Sequence, residues 1–330
     1  MEIFPVYIML KTINLLTGNF IILNLGSAGD RDLPTKFSRA ITLVEIDALS
    51  SSKTTESKYF KRISLKKAIG GKTEKRLFYK RKWRDSSSFL KANPEIVSIY
   101  GHEKYVEFDG TIEMECESIK SLLDTFRIGR VDFIKTDLEG LDYEVLSSAP
   151  EIVSKALVIT SELRFQPFYL GEPPFHTMVT YLTDHGFEII TMRPEVWKLL
   201  TPNRHKQRDG RLVFADTTFF LRPSKVREIF KEEAPLAFIK QIILAKTFGL
   251  HNYAEFLFCS IKEDLPSIIQ EELKEYLKFF PNLETVLNKI TSTITFFPGG
   301  YRILSLLHHF ALSIAKASKL NKWHKHIGSL

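Results

Sequence analysis

Three short stretches of the chain hold side chains that can do chemistry together. The first is Asn24-Leu25-Gly26-Ser27-Ala28-Gly29-Asp30, which ends an apolar run; Gly26 and Gly29 let a backbone turn tightly and approach a ligand closely. The second is Glu45, nineteen residues beyond Gly26 at the end of another apolar run. A carboxylate there can accept hydrogen bonds from both ribose hydroxyls of a nucleoside. The loop does not satisfy G-x-G-x-x-G, which counts against a nicotinamide cofactor and makes S-adenosylmethionine the better candidate. The third stretch holds Lys135, Asp137 and Glu139. Alternate residues of a strand share a face, so these side chains can converge, with Glu162 contributed by a neighbouring strand. Such a cluster has three readings. It is an internal ion-pair network, a general base facing donor and acceptor, or a carboxylate site for Mg²⁺.

These residues need a frame that brings strand ends together. Phe20–Leu25 and residues 41–45 read as buried parallel strands, with further candidates at 131–136, 156–161, 187–191 and 215–221. Helices are expected between them, at 118–126 with Ser118 as N-cap, at 143–146, and at 177–185 stopped by Gly186. Ile- and Val-rich runs alternating with helices predict an α/β fold, a doubly wound, mostly parallel sheet covered on both faces. In such sheets ligands lie outside the carboxyl ends of the strands, where the strand order reverses. From about Lys225 the strand-like runs give way to helical stretches divided by Pro235, Pro266, Pro281 and Pro298. The expected organisation is therefore a domain over 1–225 and a helical extension over 226–330.

The chain of 330 residues is 44% hydrophobic and 26% charged, ordinary for a globular protein. Its two cysteines, Cys116 and Cys259, build neither a disulfide framework nor a cysteine zinc site. The N-terminus lacks the basic start and cleavage region of a secretory signal, and there is no run of 18 uninterrupted apolar residues, so a cytoplasmic location is expected. Part of the net charge of +7 is concentrated in residues 61–84, where eleven bases from Lys61 to Arg84 face Glu74 alone. This predicts a positive field, either a solvated hairpin or a contact for an anionic glycan, nucleotide-sugar or lipid. Near the C-terminus an apolar stripe from Ile303 to Ile314 precedes Lys316, Lys319, Lys322 and Lys325. It reads as a packed terminal helix or as a peripheral contact with anionic membrane.

Val131-Asp132-Phe133-Ile134-Lys135-Thr136-Asp137-Leu138-Glu139-Gly140, followed by Glu144-Val145-Leu146, resembles the signature of FkbM-type methyltransferases, a strand reading D-F-I-K-x-D-x-E-G before a helix of the form E-x-x-V-L. In that family the segment is the fourth strand of a class I, Rossmann-like methyltransferase sheet. Glu45-Ile46-Asp47 is similar to the acidic end of its second strand, Ala68-Ile69-Gly70 to the residues after its third, and Ser86-Ser87-Ser88 to its serine cluster. The resemblance spans about 19–222. It implies S-adenosylmethionine held by Asn24, Gly26, Ser27, Ala28, Gly29, Glu45, Ile46, Ala68 and Asp137, and methyl transfer to a hydroxyl of a sugar, glycan or secondary metabolite. Asp137, Glu139, Lys135 and Glu162 are the implied catalytic group. Asn24 stands where the family usually has aspartate, and the glycine loop is about one residue shorter. Two other functions stay open: a nucleic-acid methyltransferase using residues 61–84, where Phe78, Tyr79 and Trp83 could stack bases, and a non-catalytic binding protein on the same fold.

Overall fold

Phe-Ile-Ile-Leu-Asn-Leu has no room for a solvent-facing side, and in the computed structural model it is the buried strand β1 (Phe20–Leu25) at the centre of a seven-stranded sheet. The structure describes residues 9–26, 33–49, 58–203 and 209–278. The chain divides into two compact units, Met1–Leu277 and Lys278–Leu330.

A short helix α1 (Leu10–Leu16) leads into β1, β2 (Ile41–Ile46) and β3 (Lys61–Leu65). Then come β4 (Ala68–Ile69), β5 (Glu74–Arg81), α2 (Pro94–Tyr100) and β6 (Phe108–Glu117). The chain returns through α3 (Ile119–Thr125) to β7 (Phe133–Thr136), α4 (Asp142–Ser147), α5 (Pro150–Val153), β8 (Val158–Arg164) and α6 (Phe175–Asp184). The long strands β9 (Phe187–Trp197) and β10 (Arg211–Leu221) follow, then α7 (Pro223–Phe230), α8 (Ala234–Thr247), α9 (His251–Ile261) and α10 (Ser267–Lys278).

The large sheet has the order β3-β2-β1-β7-β8-β10-β9. β3, β2, β1, β7 and β8 pair in parallel, and β10 runs antiparallel to both β8 and β9. The chain moves outward from β1 to β3 and then comes back to β7 beside β1, so the order reverses between β1 and β7. That is the position of a ligand crevice in an open α/β sheet.

Local signals act as expected in several places. The Ser118 side chain accepts the Ser121 amide at 3.2 Å, capping α3. Pro235 stands in the first turn of α8 and Pro266 just ahead of α10. Gly186 has φ +89° after α6.

Two arrangements differ from the sequence expectation. The basic stretch is not a bare positive surface. β4, β6 and β5 form a second sheet, in that order, and the acids of β6 and its flanks stand opposite the bases of β5. Lys75 pairs with Glu113, Lys80 with Asp109, Lys82 with Glu107 and Lys67 with Glu117. Arg76 reaches Glu144, and Arg81 is buried. The field is compensated across strands, a pairing that only the register reveals.

The second difference concerns residue 225. Helices α7 to α10 share the core of the sheet domain. α8 is buried on nearly every side, which fits its weak amphipathicity, and it covers the amino ends of the parallel strands together with the carboxyl end of β10. Gln241 Nε2 donates to the carbonyls of Leu157 (3.1 Å) and Leu221 (2.9 Å). Glu272 of α10 accepts the Lys11 and Thr12 amides and the Thr12 hydroxyl at 2.7–2.9 Å, capping α1. Pro281, Pro298 and the basic C-terminal stripe lie outside the described residues, among which no helix is long and apolar enough to cross a membrane.

Candidate functional site

Parallel pairing fixes which side chains are neighbours, and here it lines up a polar row. Ser64, Glu45, Asn24, Lys135, Thr160, Thr218 and Thr191 are successive partners across β3, β2, β1, β7, β8, β10 and β9. Two residues earlier along the central strands, on the same face by alternation, stand Leu43, Ile22, Phe133 and Val158, all but Leu43 flanked by further apolar partners and all fully buried. Two residues later stand Asp47, Gly26, Asp137 and Glu162, with Asp216 beside Glu162 and Arg193 beside Asp216. The ladder continues to this level: Gly26 N donates to Ile46 O at 2.8 Å, and Asp137 N to Leu25 O at 2.9 Å. One face of the sheet thus turns from apolar to polar at the carboxyl ends of its strands.

A cleft opens at this edge beside Gly26, walled by Ile46, Ile69, Phe78, Phe89, Leu138 and Leu141, with Asp47, Lys67, Arg84, Asp85, Ser87, Ser88, Asp137 and Glu139 as polar groups. Gly26 has φ +82°, and a Cβ built on it would lie 2.0 Å from the Asp137 carbonyl oxygen. Only glycine fits there. Glu45 lies in the polar row and is 8% exposed. Its Oε2 accepts Arg62 Nε at 2.6 Å and Ser64 Oγ at 3.0 Å, whereas its buried Oε1 has no hydrogen-bond partner among the described residues. A buried carboxylate oxygen without a donor is costly, and the vicinal hydroxyls of a ribose are donors of the right kind. The residues present therefore fit an adenosine-type ligand, with apolar walls for a base and acids for a sugar.

On the other side of Asp137, Arg164 occupies the next position outward on the same face of β8. Its guanidinium meets Glu139 at 2.8 Å, Glu162 at 2.5 Å and Glu172 at 3.1 Å. The Tyr169 hydroxyl donates to Glu139 Oε2 at 2.6 Å, and the Tyr169 ring lies 4.9 Å from the guanidinium carbon. The serine cluster closes the group from above: Ser88 Oγ donates to the Glu139 carbonyl at 2.7 Å, and Ser86 Oγ to Tyr105 O at 2.7 Å. Asn93 N to Phe168 O and Leu170 N to Lys91 O, both 2.8 Å, fasten this segment to the loop after β8.

Acids outnumber bases here, and the titrations follow. Burial pushes Asp137 up to about 7, with Glu139, Asp142 and Asp216 adding to the shift and Lys135 opposing it. Burial raises Glu139 against the pull of Arg164 and the Tyr169 hydrogen bond. It raises Glu162 well above the usual carboxylate range, and Glu172 to about 7, again against Arg164. Among the described residues no group of three or more His, Cys, Asp or Glu is arranged to hold a metal ion; a guanidinium stands among the carboxylates instead.

Of the residues singled out from the sequence, Gly26, Ile46, Asp137 and Glu139 line the cleft. Asn24, Glu45 and Lys135 form the row beneath it, and Ala68 precedes the lining residue Ile69 in β4. Glu162 stands beyond Asp137 against Arg164. Ser27, Ala28 and Gly29 lie outside the described residues. Two described histidines take packing positions: His102 lies against Trp197, with ring centroids 4.4 Å apart, and His185 bonds Tyr181 O at the end of α6. The sequence pointed to Asp47 only as part of the acidic end of the second strand, and gave no role to Arg164, Tyr169 or Asp216. Arg164 had a signal, the alternation Thr160, Glu162, Arg164; Asp216 had none without the register.

A mostly parallel α/β sheet with helices, carrying its polar cleft where the strand order reverses, defines a ligand-binding α/β domain. Residues 36–189 match the model of the methyltransferase FkbM domain. Among solved structures, a protein from Pyrococcus horikoshii provisionally described as an RNA methyltransferase aligns with 65% of this chain and 81% of its own, at 13% identity and a TM-score of 0.22. No curated protein sequence matches.

Proposed function

We propose that the protein is an S-adenosylmethionine-dependent O-methyltransferase on a doubly wound, class I sheet, acting on a hydroxyl of a sugar, glycan or secondary metabolite. The observation that carries this reading is the placement of Glu45 and Asp137 on the two strands that flank Gly26, on one face and at one end of the sheet. Glu45 Oε1 would accept ribose hydroxyls, and Ile46, Ile69 and Phe89 would hold the base; Gly26 lets the loop pass against the Asp137 carbonyl. When bound, the donor supplies a methyl carbon made electrophilic by a positive sulfur.

The chain's own work is alignment and one proton transfer. A carboxyl that titrates near 7 is suited to take a proton from a hydroxyl as the acceptor oxygen becomes a nucleophile. The Asp137 carboxylate is that group. Lys135 beneath it favours the ionised form, and Glu139 opposes it. Glu139 and Glu162 are engaged by Arg164 and serve as supports for Asp137. Most of the bases in residues 61–84 are paired with acids, which weakens the case for a nucleic-acid substrate and favours a small hydroxylated acceptor.

Calorimetry with S-adenosylmethionine and S-adenosylhomocysteine tests the donor. Micromolar binding that is lost in Glu45→Ala supports the assignment, and absence of binding to the full-length protein would refute it.

A further inference from the structure

The turn after β7 is held in a conformation that it does not prefer. Glu139 has φ +50° and Gly140 has φ +96°, so two consecutive residues occupy the left-handed half of backbone space. For glutamate that is uncommon, and such a residue persists only when its surroundings over-determine it. The surroundings of Glu139 do so. Its carboxylate is bound by Arg164 and by Tyr169, and its carbonyl by Ser88. A side chain at Gly140 would be strained at φ +96°, and its Cβ would crowd Leu90 Cδ1 and Tyr169 Cδ2 at 3.1 Å. Asp137 is two residues before the strained position, and its amide is fastened to Leu25.

We propose that Arg164, with Tyr169, is a positioning residue for the methyl-transfer site: by gripping Glu139, Glu162 and Glu172 together it fixes the 137–140 turn and thereby the stance of the Asp137 carboxylate. The assignment rests on the reading of Asp137 given above. Arginine suits the task because its broad planar guanidinium hydrogen-bonds Glu139 while lying at ion-pair distance from Glu162 and Glu172, a spread that a compact ammonium does not match. The three acids come from three places, the turn after β7, the strand β8 and the loop before α6, so one side chain couples them. The aromatic rings of Phe168, Tyr169 and Phe214 lie 4.9–5.9 Å from its guanidinium carbon and restrict its movement.

The alternative is that the network is ballast, adding to global stability without directing Asp137. Two variants separate the two. Arg164→Lys keeps a charge and loses the fork; Tyr169→Phe keeps the ring and loses the hydroxyl's bonds to Glu139 Oε2 and the Ser86 carbonyl, and it preserves the fold if the arginine variant does not. Three readouts are taken on the full chain: amide hydrogen exchange of residues 137–141, the titration midpoint of Asp137 by carbon NMR without ligand, and the affinity for S-adenosylhomocysteine. The charged neighbours of Asp137 are Lys135 on β7, Glu139 in the turn, Asp142 on α4, Glu162 on β8 and Asp216 on β10, with Tyr105 close by.

In Tyr169→Phe, exchange of 137–141 should accelerate about tenfold and the Asp137 midpoint should move by about half a pH unit, while other regions exchange as before. Arg164→Lys should do more of the same and weaken S-adenosylhomocysteine by about tenfold. Unchanged exchange and an unchanged Asp137 midpoint in both variants, with only a lower melting temperature, would overturn the positioning role. Failure of the unaltered protein to bind S-adenosylhomocysteine would instead count against the donor reading, while the exchange and titration arms still decide the role of Arg164.

Discussion

Gly26 and Asp137 touch backbone to backbone across the reversal of strand order: a Cβ placed on Gly26 would stand 2.0 Å from the Asp137 carbonyl oxygen and 2.7 Å from its carbon. The loop that leaves β1 and the turn that leaves β7 are thus one unit at the mouth of the cleft. Gly26→Ala has to move one of them. The positive φ alone costs about 1–2 kcal/mol, and the clash adds to that, so the variant should unfold at visibly lower urea and bind S-adenosylhomocysteine poorly. A variant with unaltered stability and affinity would show that the two loops move independently.

Lys240 and Asp132 predict where the domain ends. Lys240 Nζ lies 2.8 Å from Asp132 Oδ1, with the two side chains 0% and 1% exposed. Asp132 Oδ2 also accepts the amide of Ile21. Removing Lys240 leaves Asp132 with Arg130 Nε at 3.5 Å as its remaining cation, and loss of one partner of a buried pair costs up to about 3–5 kcal/mol. Lys240→Met should therefore destabilise by that amount in chemical denaturation, and adding Asp132→Asn should recover part of it. A chain truncated after 225 loses Lys240 and Gln241 together and should be insoluble; a folded, soluble truncation would contradict the shared core.

That boundary also shows what could be read without coordinates. The strands β1, β2, β7 and β8 were legible because each is a short apolar run ending in a polar or glycine residue, and the segment from Val131 to Gly140 carried its family signature openly. The sheet of β4, β5 and β6 was not, because residues 108–117 alternate Phe, Gly, Ile and Met with acids and show no continuous apolar run. Their acids cancel the bases of β5 only once the register is known. α8 was read as part of an appendage for a similar reason: Lys240 and Gln241 look like a polar face until Asp132, Leu157 and Leu221 are seen beneath them. Within the site, Glu45 and Asp137 were visible as strand-end acids, whereas the row joining Lys135, Thr160, Thr218 and Thr191 exists only across strands.

Glu45 Oε1 gives a sharper test of the sugar contact than loss of binding alone. If that oxygen receives the ribose hydroxyls, Glu45→Gln should weaken S-adenosylhomocysteine by about tenfold and weaken its 2′-deoxy analogue by less. Calorimetry on the four combinations gives the coupling directly. Equal losses for both ligands would mean that the variant acts through Arg62 and Ser64 rather than through the ribose.

Asp137 ties stability to ligand charge through its proton. Its carboxyl is raised from an ordinary 3.8 to about 7, first by burial and then by Glu139, so the folded protein holds this proton more tightly than the unfolded chain. Stability from this group is therefore complete below about pH 4, falls as pH rises to about 7 and is level beyond, with a slope of at most about 1.4 kcal/mol per pH unit. Asp137→Asn removes the titration; its advantage over the unaltered protein should grow from pH 5 to pH 7 in urea melts and then stay constant. Ligand affinity should move the other way. Above pH 7 the carboxylate attracts the sulfonium of S-adenosylmethionine and has no such charge to attract in S-adenosylhomocysteine, so the ratio of their affinities should rise between pH 6 and pH 8. In Asp137→Asn the ratio should be flat, because the rest of the two ligands is the same; a ratio that rises equally in both proteins would assign the effect to another group.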